Sequence, residues 1–162
     1  MRKTIMFSIT AVLAAGALTA CSSSSDDSPA ASAPADSAAP ATASAPADLA
    51  TADSSLGTIV VDGTGMTAYY FTKDTKDSGV SACSGDCATA WPAIESASDT
   101  PTVDGVTGTV GVIPAADGGH QITINGLPIY TFAKDAAAGD VNGQGVGGVW
   151  WVIAPDGTQI GG

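Results

Sequence analysis

Basic residues are scarce in this 162-residue chain: Lys and Arg total five, against sixteen Asp and Glu. Arg2 and Lys3 open the sequence, which leaves Lys73, Lys76 and Lys134 as the only cations after them. From Cys21 onward the formal charge is 3 − 16 = −13. Recognition of a phosphate backbone rests on Lys and Arg, so nucleic acid is not an expected partner. An anionic bilayer surface is equally unfavourable unless a lipid makes the attachment. Such acidity serves solubility and mutual repulsion. Histidine is a single residue, His120. A Ser–His–Asp arrangement would have to use it, and no Gly-x-Ser-x-Gly elbow occurs. Neither a phosphate loop nor a Rossmann glycine pattern in a strand-to-helix setting is present. Cysteine occurs three times, at Cys21, Cys83 and Cys87. With one histidine these cannot furnish the four ligands of a structural zinc site, and a Cys-x-x-Cys-His haem motif is missing. The expected molecule is not an enzyme and carries no cofactor.

The one long apolar run, Ile5 to Ala20, is interrupted only by Ser8, Thr10 and Thr19. It is short for a permanent membrane helix, follows a positive start and ends in small residues, as cleaved signals do. Its end, Leu18-Thr19-Ala20-Cys21, resembles the lipobox of bacterial lipoproteins. That resemblance implies cleavage before Cys21 and acylation of its thiol, with the chain held by lipid on the outer face of the cell membrane. Two acyl chains suffice for stable anchoring where one does not. Residues 1–20 are thus read as signal peptide. Residues 21–54 are read as the acylated cysteine plus a disordered Ala/Ser/Pro tether, with Leu49 its one large apolar residue. Such a segment buries too little apolar surface to offset its ordering entropy. Residues 55–162 remain for one small domain.

A duplication organises that domain. Gly65-Met66-Thr67-Ala68-Tyr69-Tyr70-Phe71-Thr72-Lys73-Asp74 aligns without gaps with Gly126-Leu127-Pro128-Ile129-Tyr130-Thr131-Phe132-Ala133-Lys134-Asp135. Trp91 follows the first block, and Trp150 and Trp151 follow the second. Every aromatic residue after Cys21 belongs to one of these two units, about residues 56–95 and 105–157. A repeat at fixed offset signals a repeated structural unit, and two copies predict a pseudo-symmetric single domain. Tyr69-x-Phe71 and Tyr130-x-Phe132 alternate, which places each pair on one strand face. Further strands are predicted at Thr58–Val61, Thr109–Ile113, Gln121–Ile124 and Val149–Ile153. Asp62-Gly63 and Asn125-Gly126 supply hairpin turns. Ala88 to Trp91, before Pro92, has the pattern of one helical turn. The fold class is all-β, mostly antiparallel: a small sandwich or partly open barrel with one short helix.

The repeat residues Tyr69/Asp74 and Tyr130/Asp135 admit two readings. They form a pair of binding sites, or the aromatics fill the core while each Asp ties a turn; the second is the simpler. Cys83 and Cys87 in an exported chain point to a disulfide. The competing reading is redox or copper handling by soft thiolates, with His120 as a third ligand. Asp140-Val141-Asn142-Gly143-Gln144-Gly145 resembles the start of a calcium loop, but Trp151 stands where a bidentate Glu is needed. Trp150 and Trp151 are strand neighbours and should face opposite ways.

The paired Tyr-x-Phe-x-x-Asp blocks, Cys-x3-Cys before Ala-x-x-Trp-Pro, and the run Gly139-Asp140-Val141-Asn142-Gly143-Gln144-Gly145-Val146-Gly147-Gly148-Val149-Trp150 together resemble the secreted-repeat bacterial lipoproteins. The resemblance spans about Leu56 to Gly157. It implies an envelope lipoprotein without an assigned activity. The leading expectation is a non-catalytic binding or scaffold module whose partner is an envelope protein or a small ligand.

Overall fold

The computed structural model describes residues 47–162. The expected signal peptide, Cys21 and the expected tether as far as residue 46 lie outside the described residues. The tether's expected end at Ser54 is corrected: Leu49–Ser54 forms strand β1. It pairs antiparallel with β2, Gly57–Asp62, through a two-residue turn at Ser55-Leu56. Leu49 is the reason. It is fully buried, and its backbone bonds Thr102 and Asp104. A composition poor in large side chains is thus anchored by its single exception.

The remaining strands are β3, Tyr69–Phe71; β4, Glu95–Ser96; β5, Val110–Pro114; β6, His120–Ile124; β7, Leu127–Tyr130; and β8, Trp150–Val152. They form one antiparallel sheet in the order β4-β6-β7-β3-β8, with β5 also on β6. The two sheets do not close into a barrel. One α-helix among the described residues, α1, spans Asp86–Ala90. It stops before Trp91-Pro92, because proline disfavours helical backbone in the residue preceding it. Asn125-Gly126 is the tight turn between β6 and β7, and both residues hold positive φ. That is the type I′ geometry that suits the strand twist.

The duplication is visible as a pseudo-twofold relation between β3 and β7. Tyr69 stands opposite Tyr130 in their ladder. Thr72 N–H donates to Val149 O, and Ala133 N–H donates to Ala90 O at the equivalent place. Val60 N–H to Ile153 O is likewise matched by Ile122 N–H to Ile94 O.

The pleat sorts consecutive residues to opposite faces, and both faces are buried. Leu49, Val60, Tyr70, Ile94, Ile122, Ile124, Ile129 and Ile153 build an aliphatic core on one side. Ile59, Val61, Tyr69, Cys83, Trp91, Tyr130, Phe132, Trp150 and Val152 build an aromatic core on the other. Adjacent residues such as Tyr69 and Tyr70, or Ile129 and Tyr130, therefore belong to different cores. Tyr70 is the lone aromatic within the aliphatic core, where its hydroxyl meets the carbonyls of Ile124 (2.9 Å) and Gly157 (3.1 Å).

Candidate functional site

The aromatic core is a ladder of rings. Trp91 and Trp150 stack at 3.8 Å between centroids and are parallel to within 4°. Phe71 stacks on the far side of Trp150 at 4.3 Å, and Phe132 on the far side of Trp91 at 4.1 Å. Tyr130 meets Trp150 edge-on at 5.3 Å, and Tyr69 meets Trp91 edge-on at 5.4 Å. The two edge-on contacts are of the kind the ring quadrupole favours. The repeat operation exchanges Phe71 with Phe132, Trp150 with Trp91 and Tyr130 with Tyr69.

The tyrosine and aspartate of the motif are joined, but not within a repeat. Tyr69 donates to Asp135 Oδ2 at 2.7 Å, and Tyr130 donates to Asp74 Oδ2 at 2.8 Å. The pairing of Tyr69 with Asp74, and of Tyr130 with Asp135, is thus corrected to its exchange. β3 and β7 are antiparallel neighbours with Tyr69 opposite Tyr130, so the turn after each strand lies within reach of the other strand's tyrosine. Asp74 N–H closes that turn on Phe71 O, and Asp135 N–H on Phe132 O. The second carboxylate oxygens tie the next loops, Asp74 Oδ1 accepting from Ala82 N–H at 2.7 Å and Asp135 Oδ1 from Asn142 N–H at 3.0 Å. Each phenol oxygen has one more partner. Ser81 Oγ lies 2.7 Å from that of Tyr130, and Gly143 N–H donates to that of Tyr69 at 3.2 Å. Burial, then the neighbouring carboxylate, pushes the Tyr69 phenol well above its ordinary value. Burial also raises Tyr130, against the pull of Ser81. Asp74 is raised by burial, offset in part by its bonds from Ala82 and Tyr130.

Beside this network lies a groove of about 540 Å³. Val80, Ala88, Pro92 and Ala115 give it apolar walls, and Trp91, Tyr130 and Cys83 of the aromatic core reach its lining. Its polar lining includes Gln121, Glu95 and Asp117, and no Lys, Arg or His. Cys83 and Cys87 are joined as a disulfide, which pins the wall between Val80 and Ala88.

The other candidates fall outside this arrangement. The sulfurs are bonded to each other, so no thiolate pair is presented to copper, and the described residues hold no group of three potential metal ligands. His120 sits on β6 between Ser96 and Pro114. The Asp140 carboxylate accepts the N–H groups of Ala136 and Ala137 at 2.9 and 3.0 Å, so it caps a turn. Asn142 enters through its backbone, and Gln144 bonds Val152 and Ile160. The calcium-loop likeness is therefore a turn built on its own hydrogen bonds. Trp150 is buried and Trp151 half-buried on the opposite face, against the C-terminal glycines.

A family model described as a secreted repeat of unknown function matches residues 50–95 and again 111–154. The chain belongs to this secreted-repeat family. Both matches include the motif strand of their repeat, and the first begins inside β1. No curated protein and no solved structure matches the chain. Membership in a secreted family places the chain outside the cytoplasm, where a disulfide persists. No helix among the described residues is long and apolar enough to cross a membrane.

Sequence reading missed Ser81, Gly143, Gln121 and the 114–117 wall of the groove. Gly143 had a local signal, since Asn142-Gly143 marks a turn. The others are assembled only by long-range pairing.

Proposed function

We propose that the chain is a lipid-anchored envelope protein whose β domain is a non-catalytic binding module. Cleavage before Cys21 leaves that residue acylated and the domain held outside the membrane. The groove beside the disulfide carries the binding reading. It joins apolar walls to acceptor groups, the usual constitution of a small-molecule site. Glu95 and Asp117 in its lining, in a chain whose charge from Cys21 onward is −13, favour a ligand with an apolar body and a cationic head. Nucleic acid is disfavoured by the same charge.

The anchor is tested by metabolic labelling with an alkyne fatty acid. The wild-type chain should take up label and Cys21→Ser should not; equal labelling would refute acylation at Cys21. Binding is tested by saturation-transfer NMR on the full chain. The probes are an alkyltrimethylammonium ion and the alkyl carboxylate of equal length. The ammonium ion should bind, Glu95→Gln should weaken it, and Ala88→Trp, which fills the groove, should abolish it. Binding that survives Ala88→Trp, or no binding of either probe, would sink this reading.

A further inference from the structure

The ladder does more than fill volume, because its most oxidisable rings are in continuous contact. Tyr130, Trp150, Trp91 and Tyr69 follow one another at centroid steps of 5.3, 3.8 and 5.4 Å. Indole and phenol give up a single electron more readily than other uncharged side chains, and two parallel indoles share the positive charge left behind. A phenol yields its electron easily only if its proton can leave at the same time. Each terminal phenol here holds that proton against a carboxylate, Tyr69 against Asp135 and Tyr130 against Asp74. All four rings are buried, but Trp91 and Tyr130 line the groove and Tyr69 does not. Entry at the groove and one place of storage, Tyr69, are thus separated along one chain of rings.

We propose that Tyr130–Trp150–Trp91–Tyr69 is a one-electron relay that takes an oxidising equivalent from the groove and holds it as a tyrosyl radical. The oxidant is of the organic peroxyl class. It takes one electron from Trp91 and one proton from solvent and becomes a hydroperoxide, leaving a radical cation shared by Trp91 and Trp150. Tyr69 then returns an electron to the indole pair. Its O–H bond breaks and the proton passes to Asp135 Oδ2. Tyr130 and Asp74 do the same at the other end. The sum is phenol, carboxylate, peroxyl radical and proton giving phenoxyl radical, carboxylic acid and hydroperoxide. Two tyrosines allow two equivalents per chain.

The test is laser flash-quench oxidation of the full chain by a photogenerated ruthenium(III) polypyridyl ion, read by transient absorption and electron paramagnetic resonance. An indole radical should form and decay into a longer-lived tyrosyl radical, more slowly in heavy water. The Asp74→Asn, Asp135→Asn double variant should slow that decay on the order of 100-fold, the usual contribution of a positioned base. Tyr69→Phe with Tyr130→Phe should strand the radical on indole. Trp151→Phe, outside the ladder, should change nothing. The proposal is overturned if the radical resides on Trp151, or if Trp91→Phe leaves the tyrosyl yield intact. Should the Asp variants not fold, the wild-type chain still decides: tyrosyl formation without a deuterium effect would overturn it.

Discussion

Exchange of the motif aspartates between repeats makes a prediction that geometry within one repeat would not. In Tyr69→Phe the ring stays and only the hydroxyl is lost. Asp135 Oδ2 then has no donor, and the N–H of Gly143 has no acceptor. A hydrogen bond to a charged group contributes about 1.5–3 kcal/mol, and an unpaired buried group costs about 1–3 kcal/mol. The carboxylate retains its bond from Asn142, so the two contributions are not fully additive, and about 3 kcal/mol is the expected loss. Urea unfolding of Tyr69→Phe, Asp135→Ala and their double variant should give a coupling energy of about 1.5–3 kcal/mol. The same cycle between Tyr69 and Asp74, which share no hydrogen bond, should close to within about 0.5 kcal/mol. The mirror cycles, Tyr130 with Asp74 and Tyr130 with Asp135, should repeat this contrast. Coupling found within each repeat and not across them would refute the reasoning.

Other outcomes follow from the same interior. Tyr69, Tyr70 and Tyr130 all have folded pKa values above the ordinary 10.0. Protonated phenol is therefore favoured by folding, and this contribution is complete below about pH 10 and lost as pH rises beyond it. Spectrophotometric titration should show all three ionising only together with alkaline unfolding. A Cβ at Gly143 would come within 2.7 Å of the Tyr69 ring and 2.8 Å of Trp91. Gly143→Ala should cost about 1–3 kcal/mol by overpacking, measured by urea unfolding, and should alter the near-ultraviolet circular dichroism of the stacked indoles. The disulfide closes a ring of only five residues, so Cys83→Ser with Cys87→Ser should lower stability by about 2 kcal/mol on the chain-entropy account. A loss twice as large in thermal or urea unfolding would mean that the bond also holds native packing beyond its own turn.

Much of this architecture was legible in the residues. The gapless repeat announced pseudo-symmetry, Tyr-x-Phe alternation announced the shared face, and Asn125-Gly126 announced its turn, because each is a local pattern. The Cys83–Cys87 bond was readable from compartment and spacing. What escaped was non-local. β1 owes its order to Leu49 meeting residues some fifty positions away, and composition around it speaks for a tether. The aspartates were assigned to their own repeats because the sequence places them there. Only the antiparallel adjacency of β3 and β7 delivers each to the other's tyrosine. The groove has no sequence signature, since its walls come from the Val80 loop, α1, β4 and the turn after β5.

The exchanged aspartates also bear on how such a chain could arise. A single repeat, alone, would leave its tyrosine without an acceptor, one oxygen of its aspartate without its phenol donor and its indole without a stacking partner. A chain of one repeat could complete all three only against a second copy of itself, in an isologous homodimer of the kind that dominates oligomeric proteins. The present domain then corresponds to such a dimer fused end to end. Its two halves are subunits that can no longer separate, and each has since been free to change alone: Ser81 serves one phenol where Gly143 serves the other, and the disulfide belongs to one half only.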